Sequence, residues 1–174
     1  HPGYPDREGF GRRSKYSSPN DSYDQIVHQI SALDEIASGL GIELSYVKPH
    51  GALYNDMLID TALRQSVMKA VSSFHKPMTL IMQATPDFSN HQQEALKEGL
   101  DVFFEAFSDR RYNDNGLLLP RSEKNAVHQK EGILAQVDRI CTQQEVISNT
   151  GSVLSLNADT LCVHGDNQQS VDTI

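Results

Sequence analysis

Four stretches of this chain are apolar almost throughout, "IELSYVK", "MTLIMQA", "LDVFFEAF" and "DTLCVHG", and three of them run into a polar cluster, "KPHG", "EAFSDRR" and "HGDN". A strand with one wet face alternates apolar and polar residues. A strand covered on both faces reads as a continuous apolar run, as in parallel sheets sheathed by helices. The segments between these runs have helical periodicity. In "SSPNDSYDQIVHQISALDEIASGLG", Tyr23, Ile26, Val27, Ile30, Leu33, Ile36, Ala37 and Leu40 make one stripe, with Ser18 as N-cap and Pro19 at the first helical position. Gly39 and Gly41 stop it. "DTALRQSVMKAVSSF" turns Leu63, Val67, Ala70, Val71 and Phe74 to one side. "SNHQQEALKEG" is a short helix capped by Ser89 and closed by Gly99. "HQKEGILAQVDRIC" turns Ile133, Leu134, Val137, Ile140 and Cys141 inward. "EVISNTGSVLSL" reads as a hairpin turning at "NTG". Strands alternating with helices imply an α/β fold, either a barrel or an open parallel sheet.

In both architectures the functional site lies beyond the carboxyl ends of the strands. The polar clusters fall there: "KPHG" after "IELSYV", "EAFSDRR" finishing "DVFF", and "HGDN" after "TLCV", with "HPGYPD" at the start. Each residue also has an ordinary structural reading. His50 alone reads as a hydrogen-bonded structural imidazole, and Lys48 as a strand-end cation reaching solvent. Asp109, Arg110 and Arg111 fit a solvated turn, as does Asp114, and Asp166 and Asn167 fit a helix cap. Glu105 inside "VFFEAF" is harder to dismiss, because an unpaired buried carboxylate is costly. It is expected to be buried and paired with Lys48 or Arg110. His28, His75, His91 and His128 read as surface residues. Taken together the clusters define a polar site of Lys, His, Glu, Asp and Arg, suited to acid–base work on a carbonyl or amide, with Arg and Lys holding carboxylate or phosphate. No phosphate loop, GxSxG elbow or zinc spacing is present.

The chain has 174 residues and a net charge of −8, which argues against a nucleic-acid partner. No apolar run is long enough to span a bilayer. Cys141 and Cys162 form no spaced framework and read as buried free thiols of a reducing cytoplasm. The region "SDRRYNDNGLLLPRSEKNAV" is longer than an ordinary connection, which in such folds usually signals function. The opening "HPGYPD", without an initiator Met, reads as the start of a fragment.

The ordered set "HPGYPDREGFGRRS", "VKPHGALYN", "FEAFSDRRYNDNGLLLPRSE", "AVHQ" and "NADTLCVHGDN" resembles the LamB/YcsF family, the A subunit of bacterial ATP-dependent 5-oxoprolinase. The resemblance runs over essentially all of residues 1–174. It implies one α/β domain, a seven-stranded (β/α) barrel of the deacetylase-like type. The barrel is expected to be incomplete, because the family's N-terminal acidic strand end and His-Ala-Gly-Asp motif do not occur in this sequence. An open sheet edge would then favour homo-oligomers or an unstable chain.

The implied activity is opening of the 5-oxoproline lactam to L-glutamate with hydrolysis of ATP, together with partner subunits B and C, in the cytoplasm. On the matching positions, the resemblance makes Lys48 and Arg110 stabilisers of developing negative charge. Glu105, His50 or His164 is then general base or acid, and Asp166 orients an imidazole. Arg12, Arg13, Arg111 and Arg121, with Asp109 and Asn167, hold the substrate carboxylate or a phosphate. We read the coupling to ATP as phosphorylation of the lactam carbonyl oxygen before water opens the ring. Two rivals stand beside this reading. One is a metal-dependent amide hydrolase with His1 among its ligands. The other is a non-catalytic scaffold that presents substrate to its partners.

Overall fold

A computed structural model describes residues 1–15, 17–165 and 171. The chain divides into two compact units, His1–Gln83 with Asn90–Phe103, and Ala84–Ser89 with Phe104–Ile174.

The first unit opens with helix α1, Pro19–Gly39. Ser18 caps it as expected: its extended backbone precedes Pro19, and its hydroxyl accepts from the Asp21 N–H at 3.1 Å. At the other end Gly41, at φ +72°, takes the left-handed conformation that ends a helix at least cost. The buried stripe is narrower than the apolar pattern. Ile26, Ile30 and Ala37 are buried, whereas Leu33, Ile36 and Leu40 face outward. Strand β1, Tyr46–Val47, is only two residues long, so most of "IELSYVK" is irregular.

A helix absent from the sequence reading follows, α2, Ala52–Ile59. It is apolar enough to bury Leu53, Tyr54 and Met57, and it gives way at once to α3, Thr61–Ser72. Asp60 makes the break. Its backbone is extended and its carboxylate accepts from the Leu63 N–H at 3.0 Å, so one residue ends α2 and caps α3. Buried Arg64 ties the junction: its guanidinium donates to Met57 O at 3.0 Å and grips Glu94 at 2.6 and 3.0 Å. Helix α3 buries Leu63, Val67, Ala70 and Val71 as its periodicity predicts, and packs against α1.

Strand β2, Thr79–Gln83, pairs in parallel with β1, with Tyr46 opposite Thr79 and Val47 opposite Leu80. Helix α4, Phe88–Lys97, begins two residues earlier than expected, so Ser89 is inside it and not its cap. Its His91 is buried, not superficial, because it lies on the same inward face as Ala95. Gly99 ends the helix at φ +66° as expected. The Leu80 N–H then donates to Asp101 O at 2.9 Å, at the threshold of β3, Val102–Phe107.

In the second unit the Ala84 N–H donates to Glu105 O at 2.8 Å. The body of β3 pairs in parallel with β6, Thr160–Cys162. Between them lie α5, Lys130–Gln143, and the antiparallel hairpin of β4, Glu145–Ile147, with β5, Val153–Ser155, turning at the expected "NTG". Helix α5 buries Ile133, Gln136 and Ile140, while Leu134 and Cys141 face solvent. Neither cysteine is buried as expected: Cys141 is exposed, because a run of apolar letters in a helix still exposes its back, and Cys162, in β6, is half-buried. Parallel strand pairs joined through helices establish the α/β class.

The long segment between β3 and α5 is ordered by isolated bridges, Arg110 with Val127 and Tyr112 with both Leu118 and Ser148. Asp114 lies in an exposed turn as expected, and it is also tied to the hairpin. Its carboxylate accepts from the hydroxyls of Ser148 and Thr150, which hold it below the usual carboxylate range and tie the loop to the hairpin turn.

Candidate active site

The polar clusters do follow the carboxyl ends of strands, and each unit carries its own set. In the first unit β1 runs into Lys48–Gly51. Gly51 has φ +63° and ψ −130°, and a Cβ there would lie 2.4 Å from Gly11 O, so only glycine fits. This close approach lets the Ala52 N–H donate to Gly11 O at 2.9 Å and the His50 N–H to Pro2 O at 2.8 Å. The His50 ring lies 2.8 Å from Phe10 O through Nε2, so that nitrogen carries the proton, and it meets the Phe10 ring edge-on at 5.0 Å. These contacts wall a cavity of about 670 Å³ lined by His1, Tyr4, Phe10, Gln29 and His50 among others. Lys48 sits over the Tyr54 ring, 5.8 Å from its centroid.

Arg12 and Arg13 are exposed, and the Arg13 fork is already committed. It grips Asp6, whose buried carboxylate also accepts from the Gly9 N–H at 3.1 Å. That hydrogen-bonded guanidinium holds the Asp6 carboxyl well below the ordinary range, despite the opposing effect of burial. Arg13 therefore braces the opening loop, where a substrate-carboxylate role was expected of it. Burial and a 2.9 Å hydrogen bond to Asp56 push the Tyr4 phenol up.

The second unit contains a carboxylate–imidazole pair held by strand register. Phe107 lies opposite Cys162 in the parallel register, and both strands end there. Two residues further along each strand come Asp109 and His164. Equal offsets in a parallel pair stay about one strand spacing apart, so the register itself brings these side chains together. The Asp109 carboxylate has no solvent exposure, and His164 Nδ1 is 3.0 Å from each of its oxygens. The imidazole stacks on Phe107, centroids 5.6 Å apart at 16°, and keeps 27% of its side-chain exposure. An anion at Nδ1 fixes the proton there and leaves Nε2 as the unprotonated ring nitrogen. Ser108 seals the junction, its N–H and Oγ both donating to Cys162 O at 3.0 and 3.1 Å.

Sequence reasoning gives the orienting carboxylate to Asp166. Asp166 and Asn167 lie outside the described residues, and the carboxylate found against His164 is that of Asp109, expected among the substrate-binding groups. Glu105 is buried as expected. Arg110 is buried too, and its guanidinium donates to Leu119 O. Arg111 is half-exposed, its N–H bonded to Ala126 O at 3.0 Å, and Arg121 is exposed. His128 is half-buried rather than superficial. Its Nε2 lies 3.0 Å from Gln136 Oε1, and burial pushes its pKa down. Tyr112, wholly buried, accepts the Phe107 N–H at 2.8 Å, and burial pushes its phenol up. Tyr112 and Gln136 escape the sequence reading because neither stands at a strand end. Among the described residues no cluster of three or more His, Cys, Asp or Glu side chains is arranged to hold a metal. No described helix is long and apolar enough to cross a membrane.

The fold is α/β, and it sets an imidazole against a buried carboxylate just beyond the carboxyl ends of two parallel strands. The chain belongs to the LamB/YcsF family, whose sequence model matches residues 1–174. It is 43% identical over 175 residues to the A subunit of 5-oxoprolinase from Chromohalobacter salexigens, and 44% identical over 177 residues to that from Vibrio cholerae. In both cases the match covers 100% of this chain and 70% of the relative. Its structure is similar to the crystal structure of the lactam utilization protein from Thermus thermophilus. The TM-score is 0.85 and the identity 33%, over 99% of this chain and 69% of the other.

Proposed function

We propose that this chain is the A subunit of an ATP-dependent lactam hydrolase that opens 5-oxoproline to L-glutamate, working in the cytoplasm with partner subunits B and C. The observation that carries the reading is the buried Asp109 carboxylate on Nδ1 of His164. In this reading His164 Nε2 takes a proton from water as the water oxygen bonds to the ring carbonyl carbon. The ring C–N bond then breaks, and the imidazolium returns the proton to the leaving nitrogen. Asp109 stabilises that imidazolium. Arg111, half-exposed beside the same turn, is the cation we assign to the substrate carboxylate. Hydrolysis of ATP to ADP and phosphate belongs to the assembled complex.

The test is glutamate release from 5-oxoproline and ATP by the reconstituted complex. His164→Asn should lower kcat by about 10²–10⁴-fold, the range for a lost general acid–base, with the complex still assembled. Full activity of the His164→Asn complex would refute the assignment.

A further inference from the structure

The turn that carries Asp109 poses a problem of hydrogen bonding. Where β3 stops, the carbonyls of Phe107, Ser108 and Arg110 lose the regular ladder, and buried carbonyls need donors. One side chain supplies them. Gln136, buried on α5, aims its amide nitrogen at Phe107 O (2.7 Å), Ser108 O (3.2 Å) and Arg110 O (2.8 Å). An amide nitrogen has two hydrogens, so one of them is shared between two carbonyls. With three oxygens around that nitrogen, the amide orientation is unambiguous, and Gln136 Oε1 faces the other way, to His128 Nε2 at 3.0 Å. His128 must therefore carry its proton on Nε2. Its own backbone N–H donates to Asp109 O at 2.8 Å. The peptide carbonyls of residues 107–110 are thus held from α5 and from the end of the preceding loop.

We infer that Gln136 is a positioning residue for the Asp109–His164 pair: its carboxamide clamps the turn so that the Asp109 carboxylate meets His164 Nδ1. Gln136 does not touch His164 and transfers no proton. It acts through the backbone that sets where Asp109 points. This inference rests on the acid–base role proposed above for His164, but its structural content can be read separately.

The experiment pairs ring-nitrogen NMR with kinetics. In the full chain labelled with ¹⁵N-histidine, His164 should hold its proton on Nδ1 and His128 on Nε2, with assignments made from His164→Asn and His128→Asn. Gln136→Met keeps the bulk of the side chain and removes both donors. Gln136→Glu keeps the acceptor facing His128 and removes the donors, and serves if the Met variant does not fold. Either variant should release His164 from the Nδ1–H form into a tautomer mixture. In the reconstituted complex either should lower kcat on 5-oxoproline about 10- to 100-fold, the scale of a catalytic group misplaced by about 1 Å, with KM within twofold. A folded variant that keeps His164 in the Nδ1–H form would overturn the clamp, as would the opposite tautomer at either histidine in the unaltered chain. A clamp variant with the tautomer shift, in a complex whose unaltered form releases no glutamate, would support the clamp and refute the lactam reading.

Discussion

Gly132 stands inside α5, where glycine costs roughly 0.5–1 kcal/mol relative to alanine. On propensity alone Gly132→Ala should stabilise the chain. The structure argues for the reverse. A Cβ at position 132 would lie 2.7 Å from His128 Nδ1 and 3.2 Å from both Cβ and Cγ of His128. The close atoms include the root of that side chain, so rotating the ring does not clear the contact. His128 would have to leave, and with it the 3.0 Å contact to Gln136 Oε1. A lost hydrogen bond costs about 1 kcal/mol, and a buried acceptor left unmatched about 1–3 kcal/mol. Set against the propensity gain, the net expectation is destabilisation by about 1–3 kcal/mol. For a chain of this size that lowers Tm by about 3–10 °C. The assay is thermal unfolding of the full chain beside Gly39→Ala, at the last position of α1, where a Cβ meets nothing within 4 Å. The Gly39 variant should gain slightly. If Gly132→Ala gains as Gly39→Ala does, the packing of His128 on α5 does not constrain position 132.

Two further outcomes are expected. Gly51→Ala should destabilise by several kcal/mol in urea unfolding, because the left-handed backbone costs ~1–2 kcal/mol before the 2.4 Å approach to Gly11 O is relieved; a loss below about 1 kcal/mol would show that the turn simply rearranges. Asp6, with its carboxyl held low by Arg13, contributes stability that is complete above the unfolded carboxylate value of about 3.9 and is lost as pH falls below it. Asp6→Asn should thus be less stable than the unaltered chain at pH 7 and converge with it in acid, as read by unfolding midpoints across pH; a constant gap would exclude the Asp6–Arg13 linkage.

The strand ends were legible in the sequence because a strand buried on both faces leaves a long apolar run, and the run stops where the chain meets water. That located His50, Asp109 and His164 at strand termini. It could not match them into pairs, since matching depends on which strands are neighbours and in what register. Once Phe107 is known to face Cys162, the meeting of Asp109 and His164 follows by counting. Helix α2 went unseen because "ALYNDMLI" has no polar side to create a period, and its boundary depends on Asp60 serving two helices. Gln136 was invisible for another reason. A glutamine among charged residues on a helix reads as surface, and only the carbonyls it meets reveal an inward use. Arg13 looked free for substrate because its partner, Asp6, is a loop residue whose burial no periodicity announces.

Strand β6 is three residues long, and it is what brings His164 to a carboxylate 55 positions earlier in the chain. Short elements with few ladder bonds are among the first to open in native-state fluctuations. When β6 lifts, Asp109 regains water while its turn stays pinned by α5. The opened state then retains a preformed acceptor for the imidazole. Reclosing is a docking event, and the chain need not rebuild the turn to recover the pair. The Ser108 amide, donated to Cys162 O, is the proton whose exchange with solvent would keep time for that breathing.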